Sequence, residues 1–367
     1  MSSNKLTDKL INQLREKIKY SYAYNMYNCK DEKDKWSIIC SAMDWIQVAI
    51  NGIDFDKFEK NRGLEDSVRM ITIISCIDIL WEGIQQLHRV FFNTDEIPFK
   101  DENSKFKNKL KNVSDNEYWK TIRACFAAHP INIKYLLENS NEEKHYASWS
   151  CSGIGSADFS VLIYSNKPNS GHIYLGIYFN ELMDFAIQRY NYLENILTEI
   201  DKQSGEYILN LKKKIIAKKR EPLEQIEILF TENENRFGSD CYEYELKEIR
   251  RIFSTYITDE NNRILVEKLR NQLLLKLDEI FNNLQNMECL ELKSIADIPS
   301  PGGYSYVFSR LSGYVDGSYS YHEFSPFKSE LLDRLERELG DMINFSQWDS
   351  YDELYVISQA GLFFKEK

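Results

Sequence analysis

The segment LEDSVRMITIISCIDILWEGIQQLHRVFF, residues 64–92, constrains the fold more than any other stretch of this chain. Apolar side chains recur almost all round its helical projection, the pattern of a helix enclosed by other helices. Its polar exceptions form one stripe, Ser75, Asp78, Glu82, Gln85 and Arg89, spaced three or four apart and so on a single face. That stripe must meet water, another polar group or a cleft. A partner helix is legible upstream in DKWSIICSAMDWIQVAING, where Trp36, Ile39, Met43, Ile46 and Ile50 keep a helical period and Gly52 follows as a C-cap. Further on, SDNE places Ser114 and Glu117 at capping-box spacing ahead of an apolar face of Trp119, Ile122, Cys125 and Phe126. Residues 1–145 therefore read as a helical bundle.

The pattern then changes. DFSVLIYS and HIYLGIYF are β-rich runs separated by NKPNSG, predicting a small β-hairpin insertion within 146–180. Residues 181–367 read as a helical region. Asn180 is expected to cap a long helix with a break near Ser204 and Gly205, and two charged amphipathic helices fit 222–256 and 259–287. A loop rich in Gly, Ser, Pro and Tyr occupies 296–326, ahead of a last helix at 327–343 and a short tail. The fold class is mainly α: an N-terminal helical bundle, a small hairpin and a long-helix C-terminal region.

With 367 residues, 43% of them hydrophobic, a substantial core can be filled. No stretch approaches the length of a membrane span and the N-terminus is charged, so the expectation is a soluble, cytoplasmic protein with no membrane contact. The seven cysteines include no C-x-x-C pair, and Cys40, Cys76 and Cys125 sit in apolar helical patterns, so they read as reduced core residues. A formal net charge of −11 argues against a protein that coats nucleic acid, although it leaves room for a local basic cleft. KFKNKLKN at 105–112 and the run Lys212, Lys213, Lys214, Lys218, Lys219, Arg220 could supply one, or could be solvated helix faces and ends. There is no H-E-x-x-H, C-x-x-C or D-x-D-x-D-G pattern, so no metal or other cofactor is expected, and GIG at 153–155 reads as a turn rather than a phosphate loop.

The stretch TIRACFAAHP, residues 121–130, carries the chemistry. Arginine and histidine together can cleave RNA: the guanidinium pairs with the scissile phosphate, the imidazole moves a proton at neutral pH, and the 2′-hydroxyl of the RNA is the nucleophile. Pro130 disfavours the α conformation before it, placing His129 at or beyond the helix end. On an unbroken helix Arg123 and His129 would stand roughly 120° apart. They converge if Pro130 turns His129 outward, or they meet their counterparts across a two-fold axis. The plainer alternative has His129 capping helix carbonyls and Arg123 paired with Glu117 or Asp78.

Arg123-x5-His129 near the end of a helical bundle resembles the R-x4-6-H signature of the HEPN superfamily of ribonucleases, and the helix holding Asp78 and Glu82 looks like the one that packs under that motif. The resemblance covers about residues 1–140. It implies a homodimer with Arg123 and His129 in the dimer cleft, and metal-independent endoribonuclease activity of the kind found in toxin, abortive-infection and antiviral systems. Members often carry Asn, Asp or His directly after the arginine, where this chain has Ala124. Asp78, Glu82 and His145 are the expected supporting residues.

Of the other histidines, His88 reads as structural, His145 as a loop residue near the cleft, and His172 as the start of a strand, while His322 belongs to the aromatic loop. Tyr304, Tyr306, Tyr314, Tyr319 and Tyr321 in that loop could stack on bases or anchor it to the core or to a protein partner. The C-terminal region could bind a protein partner such as an antitoxin. Two functional classes follow: an RNA-cleaving enzyme, or a catalytically silent helical binding or scaffold protein in which Ala124 marks lost activity.

Overall fold

Helix α4, Leu64–Phe92, is the axis about which the first half of the chain is built. The computed structural model describes residues 6–28, 34–56, 58, 64–110, 112–128, 130–131, 133, 144–149, 156–238, 241–294 and 327–365. Two compact units result, Met1–Glu206 and Tyr207–Lys367. The described residues are mainly helical with one small antiparallel sheet. Among the described residues, no helix is long and apolar enough to cross a membrane.

In the first unit, α1 (Lys9–Tyr20), α2 (Ala23–Tyr27) and α3 (Lys35–Gly52) precede α4. Asp34 caps α3 by accepting from the Trp36 and Ser37 amides. The expected apolar face is buried at Ile39, Met43, Ile46 and Ile50. Helices α3 and α4 approach closely because small residues face larger ones: a Cβ at Gly83 would lie 2.8 Å from Ile46 Cγ1. The stripe on α4 differs from expectation at one position. Gln85 is buried and donates to the Trp81 carbonyl at 3.3 Å, whereas Gln86 is the neighbour of Glu82. A residue one step off the stripe takes the solvent side because α4 is enclosed on all but a narrow sector.

The described residues of 93–114 form no helix, and the basic segment there is a loop rather than a solvated helix face. It wraps Asp115, which is fully buried and accepts from the Ser104 and Lys105 amides at 2.8 and 2.9 Å while pairing with Lys109 Nζ at 2.6 Å. Burial raises the Asp115 pKa, but Lys109 and these amides outweigh it and leave the carboxyl below its usual range. Helix α5, Asp115–Arg123, continues into a π-helical turn at Ala124–Ala128.

The sheet has three strands, β1 (His145–Trp149), β2 (Phe159–Ser165) and β3 (Ile173–Ile177), in the order β1-β2-β3. Strands β2 and β3 are the expected hairpin. The unexpected β1 pairs with β2, and this corrects the placement of His145 in a loop. Helices α6 (Phe179–Asn191) and α7 (Leu193–Lys213) follow. Asn180 lies inside α6, whose N-cap is Tyr178, and the break falls at Tyr192 while Ser204 and Gly205 remain helical. One core runs from Ile11 through Phe159 and Ile163 to Ile200, so it is continuous across residues 145 and 180.

The second unit contains α8 (Pro222–Phe237), α9 (Glu243–Ser254), α10 (Glu260–Gln285), α11 (Phe327–Leu339) and α12 (Tyr351–Lys365). Helix α12 corrects the short tail: Leu354 to Phe363 is buried without interruption, and a helix enclosed on every side shows no stripe. The expectation that all cysteines are reduced is also corrected, because Cys241 and Cys289 form a disulfide with their Cα atoms 5.8 Å apart. Their partnership depends on the α8–α9 turn meeting the end of α10, which sequence spacing does not encode. Cys40, Cys76 and the buried Cys125 are free thiols. The aromatic loop at 296–326 and the GIG turn at 153–155 lie outside the described residues, as do Tyr304, Tyr306, Tyr314, Tyr319, Tyr321 and His322.

Candidate functional site

Helix α5 starts where Ser114 Oγ accepts the Glu117 amide at 3.3 Å. The Glu117 carboxylate takes Lys120 at 2.7 Å, so the cap is made from the serine side. The helix then presents Trp119 and Arg123, four residues apart and so on one face, toward α4. Both reach Asp78. Arg123 Nη1 donates to Oδ2 at 2.9 Å and the indole Nε1 of Trp119 donates to Oδ1 at 3.2 Å. The Trp119 ring is 2% exposed, whereas the Arg123 side chain is 41% exposed, so a solvated guanidinium is steered by an aspartate that a core tryptophan holds.

The α-helix ends at Arg123 itself. In the π-turn the backbone follows a wider path, so the angular offset expected for an unbroken helix does not carry across Ala124–Ala128. Single π-turns frequently accompany functional positions. His129 lies outside the described residues. The backbone just beyond it is anchored: the Ala147 amide donates to the Pro130 carbonyl at 2.6 Å, and Ile133 and His145 exchange amide hydrogen bonds at 2.9 and 3.2 Å. Pro130 and Ile133 therefore lie along the outer edge of β1.

One helical turn from Asp78, Glu82 is exposed, accepts from Gln86 at 2.7 Å and lies 3.5 Å from Arg89. Asp78 and Glu82 line one wall of a groove of about 680 Å³, together with Ile79. Ile38, Ser41 and Trp45 of α3 line the other. Trp45 is 54% exposed, a large ring with one side in water. Arg123 thus stands at the edge of an apolar groove bordered by carboxylates.

The remaining expected residues lie elsewhere. His145 is 1% exposed on the inward face of β1 and does not line an open cleft. His88 is buried, its Nδ1 2.9 Å from the Tyr192 hydroxyl, and burial followed by the charge of Arg89 lowers its pKa. Cys125, next to the motif, is no nucleophile at neutral pH, since burial pushes its thiol up to about 12. The basic run falls in the second unit. Lys218 pairs with Asp278 and Lys219 with Glu224, while Lys212, Lys213, Lys214 and Arg220 are exposed around the end of α7. The backbone of that run is fixed from below: the carbonyls of Leu211 and Lys214 accept from Arg236, which is 0% exposed. Among the described residues, no three His, Cys, Asp or Glu side chains gather as a metal site would require.

Two features escaped the sequence reading. Trp119 is buried on the expected apolar face, yet its indole also donates to Asp78, a partner it shares with Arg123 four residues on. The π-turn left no recognisable sign in ACFAA.

Fold and site together define a mainly helical protein whose first unit displays an arginine–aspartate–tryptophan seam beside an open apolar groove. No protein-family model, curated protein or solved structure matches the chain.

Proposed function

We propose that the first unit is a HEPN-like, metal-independent endoribonuclease that works as a homodimer, with Arg123 holding the scissile phosphate and His129 moving a proton. The observation that carries this reading is the aiming of Arg123. A flexible side chain at the surface would lose rotamer freedom on binding phosphate, and the Asp78–Trp119 anchor removes part of that cost beforehand. In the reaction the 2′-oxygen bonds to phosphorus as the bond from phosphorus to the 5′-oxygen breaks. The proton leaves the 2′-hydroxyl and another reaches the departing oxygen, with the imidazole serving as base or acid. Arg123 neutralises the non-bridging oxygens as charge builds there. A toxin or antiviral defence role fits an enzyme of this kind, with the second unit restraining it or receiving a protein partner.

The test is incubation of the full chain with total RNA in EDTA, comparing wild type with His129→Ala and Arg123→Ala and reading the fragment ends. Cleavage by wild type alone, with 2′,3′-cyclic phosphate or 3′-phosphate ends, is the expected result. Equal cleavage by all three proteins would refute the assignment.

The groove favours a second reading, a helical binding or scaffold protein without catalysis. Ile38 and Trp45 expose more apolar surface than a solvated helix pair needs, and in either reading a second copy of the unit is assigned to cover it. Trp45→Lys is expected to convert a dimer to a monomer in light scattering. If cleavage is absent while that shift occurs, the scaffold reading stands.

A further inference from the structure

The sheet has an inner face that belongs to the core and an outer face with a different composition. Inward-pointing Phe159, Val161 and Ile163 of β2 are opposed by Ile177, Leu175 and Ile173 of β3, and all but the partly covered Ile173 are buried. Because side chains alternate along a strand, the intervening residues face outward. There Tyr146 of β1 stands directly opposite Tyr164 of β2, and Tyr174 of β3 stands opposite Leu162. These three tyrosines are 36%, 38% and 53% exposed. His172, just ahead of β3, extends the first row, its ring centroid 4.8 Å from that of Tyr164 in an edge-on arrangement.

Aromatic rings on an outer sheet face are unusual cover for water, since they expose apolar area that smaller polar residues would not. Directly opposed side chains have Cβ atoms about 5 Å apart and diagonal neighbours about 7 Å apart, so Tyr146, Tyr164 and Tyr174 form one compact aromatic surface. Two lysines border it, with Glu142 and Glu143 directly ahead of the first in sequence. Lys144 precedes β1, Lys167 follows β2, and both are exposed at the end of the sheet where Tyr146 and Tyr164 pair. Aromatic faces bordered by lysines match one occupant in particular, a single strand of nucleic acid, whose unpaired bases stack on the rings while phosphates meet the ammonium groups.

We infer that the outer face of the β1–β2–β3 sheet is a stacking platform for single-stranded RNA, with Tyr146, Tyr164 and Tyr174 receiving bases and Lys144 and Lys167 the backbone. The inference rests on the ribonuclease reading for its choice of RNA. Its position serves that reading: the Pro130 and Ile133 backbone is hydrogen-bonded along β1, so the chain leaving Arg123 and His129 forms the near border of the platform. A strand lying across the tyrosines would run beside the backbone at Pro130 and Ile133. Substrate choice would then favour unpaired regions, since bases within a duplex offer no free faces to the rings.

The experiment measures fluorescence anisotropy of a labelled oligouridylate with the full chain carrying Arg123→Ala, which prevents consumption of the probe. Alanine at Tyr146, Tyr164 or Tyr174 is expected to weaken binding about five-fold or more at each position, while phenylalanine, which keeps the ring, retains it. A duplex of matched length is expected to bind more weakly than the single strand. Alanine variants that bind as the parent does would overturn the platform. So would polyphosphate competing as well as RNA, which would reduce the surface to a generic anion contact. The two proposals fail separately: tyrosine-dependent binding without cleavage by wild type leaves the platform and removes the enzyme, whereas cleavage whose KM ignores the tyrosines does the reverse.

Discussion

Asp78 accepts one hydrogen bond from a buried donor and one from an exposed donor, and the two substitutions that probe it separate their contributions. Asp78→Ala leaves the indole N–H of Trp119 without its acceptor in a site that is 2% exposed, at a cost of about 1–3 kcal/mol. Asp78→Asn keeps an oxygen for that donor and removes only the charge facing Arg123. Because the arginine side chain is 41% exposed, the lost ion pair itself contributes less than about 1 kcal/mol. Urea unfolding should therefore show a clear loss for alanine and a small one for asparagine, while cleavage falls in both if Asp78 aims Arg123. A second residue carries a pH signature. Burial holds His88 below its ordinary pKa of 6.5, so at pH values just under 6.5 the unfolded chain binds more protons than the folded one. Its contribution to stability is complete above that value and is lost as pH falls toward the folded pKa. His88→Gln should flatten the fall in stability as pH drops below 6.5, read as the change in urea midpoint with pH; an unchanged slope would show that His88 does not titrate there.

At the scale of elements, the α3–α4 pair depends on close approach at Gly83. Alanine there gains helix propensity, about 1 kcal/mol, but its Cβ meets Ile46 Cγ1 at 2.8 Å in a filled core, where overpacking costs about 1–3 kcal/mol. Gly83→Ala should thus lower the melting temperature, and Ile46→Ala in the same chain should restore part of the loss, a coupling that separate sites would not show. This pair was legible beforehand because both helices carry their burial as a period, as does the hairpin through its alternation. Three elements were not legible, each for a physical reason. Strand β1 is five residues long, so the local alternation in HYASW was too short to distinguish it. Helix α12 is enclosed, and enclosure erases the stripe that announces a helix. The basic segment at 105–112 reads as a charged face, yet Lys105 and Lys109 are held by Asp115, a single carboxylate whose burial no local pattern reveals. The candidate site divides in the same way: Arg123 and Asp78 were nameable from spacing along their helices, whereas the exposed tyrosines of the sheet needed register, since one residue of slip would have turned them inward.

At the scale of the molecule, the two units are stabilised by different means. The first rests on one extensive apolar core, and the second adds a covalent link between residues 48 positions apart. Closing a loop of that size lowers the entropy of the unfolded chain by an amount equivalent to about 4 kcal/mol. Cys241 and Cys289 both belong to the second unit, so that stabilisation is confined to it. Non-covalent contacts hold the same two segments together: the Tyr242 hydroxyl donates to the Leu290 carbonyl at 2.7 Å and accepts from the Leu290 amide and Asn283 Nδ2, both at 2.8 Å. The folded unit should therefore survive loss of the disulfide at room temperature while melting earlier. Calorimetry in the presence of a dithiol, or of the Cys241→Ser, Cys289→Ser double variant, should move only the transition assigned to residues 207–367. Trp348 provides the assignment, because it is the one tryptophan of the second unit and the other five lie in the first. A chain bearing Trp348→Phe would lose the fluorescence change of the redox-sensitive transition and keep the other. Should reduction shift both transitions equally, the units unfold as one cooperative body, and the stability of the Arg123 seam would then depend on the oxidation state of a bond in the other unit.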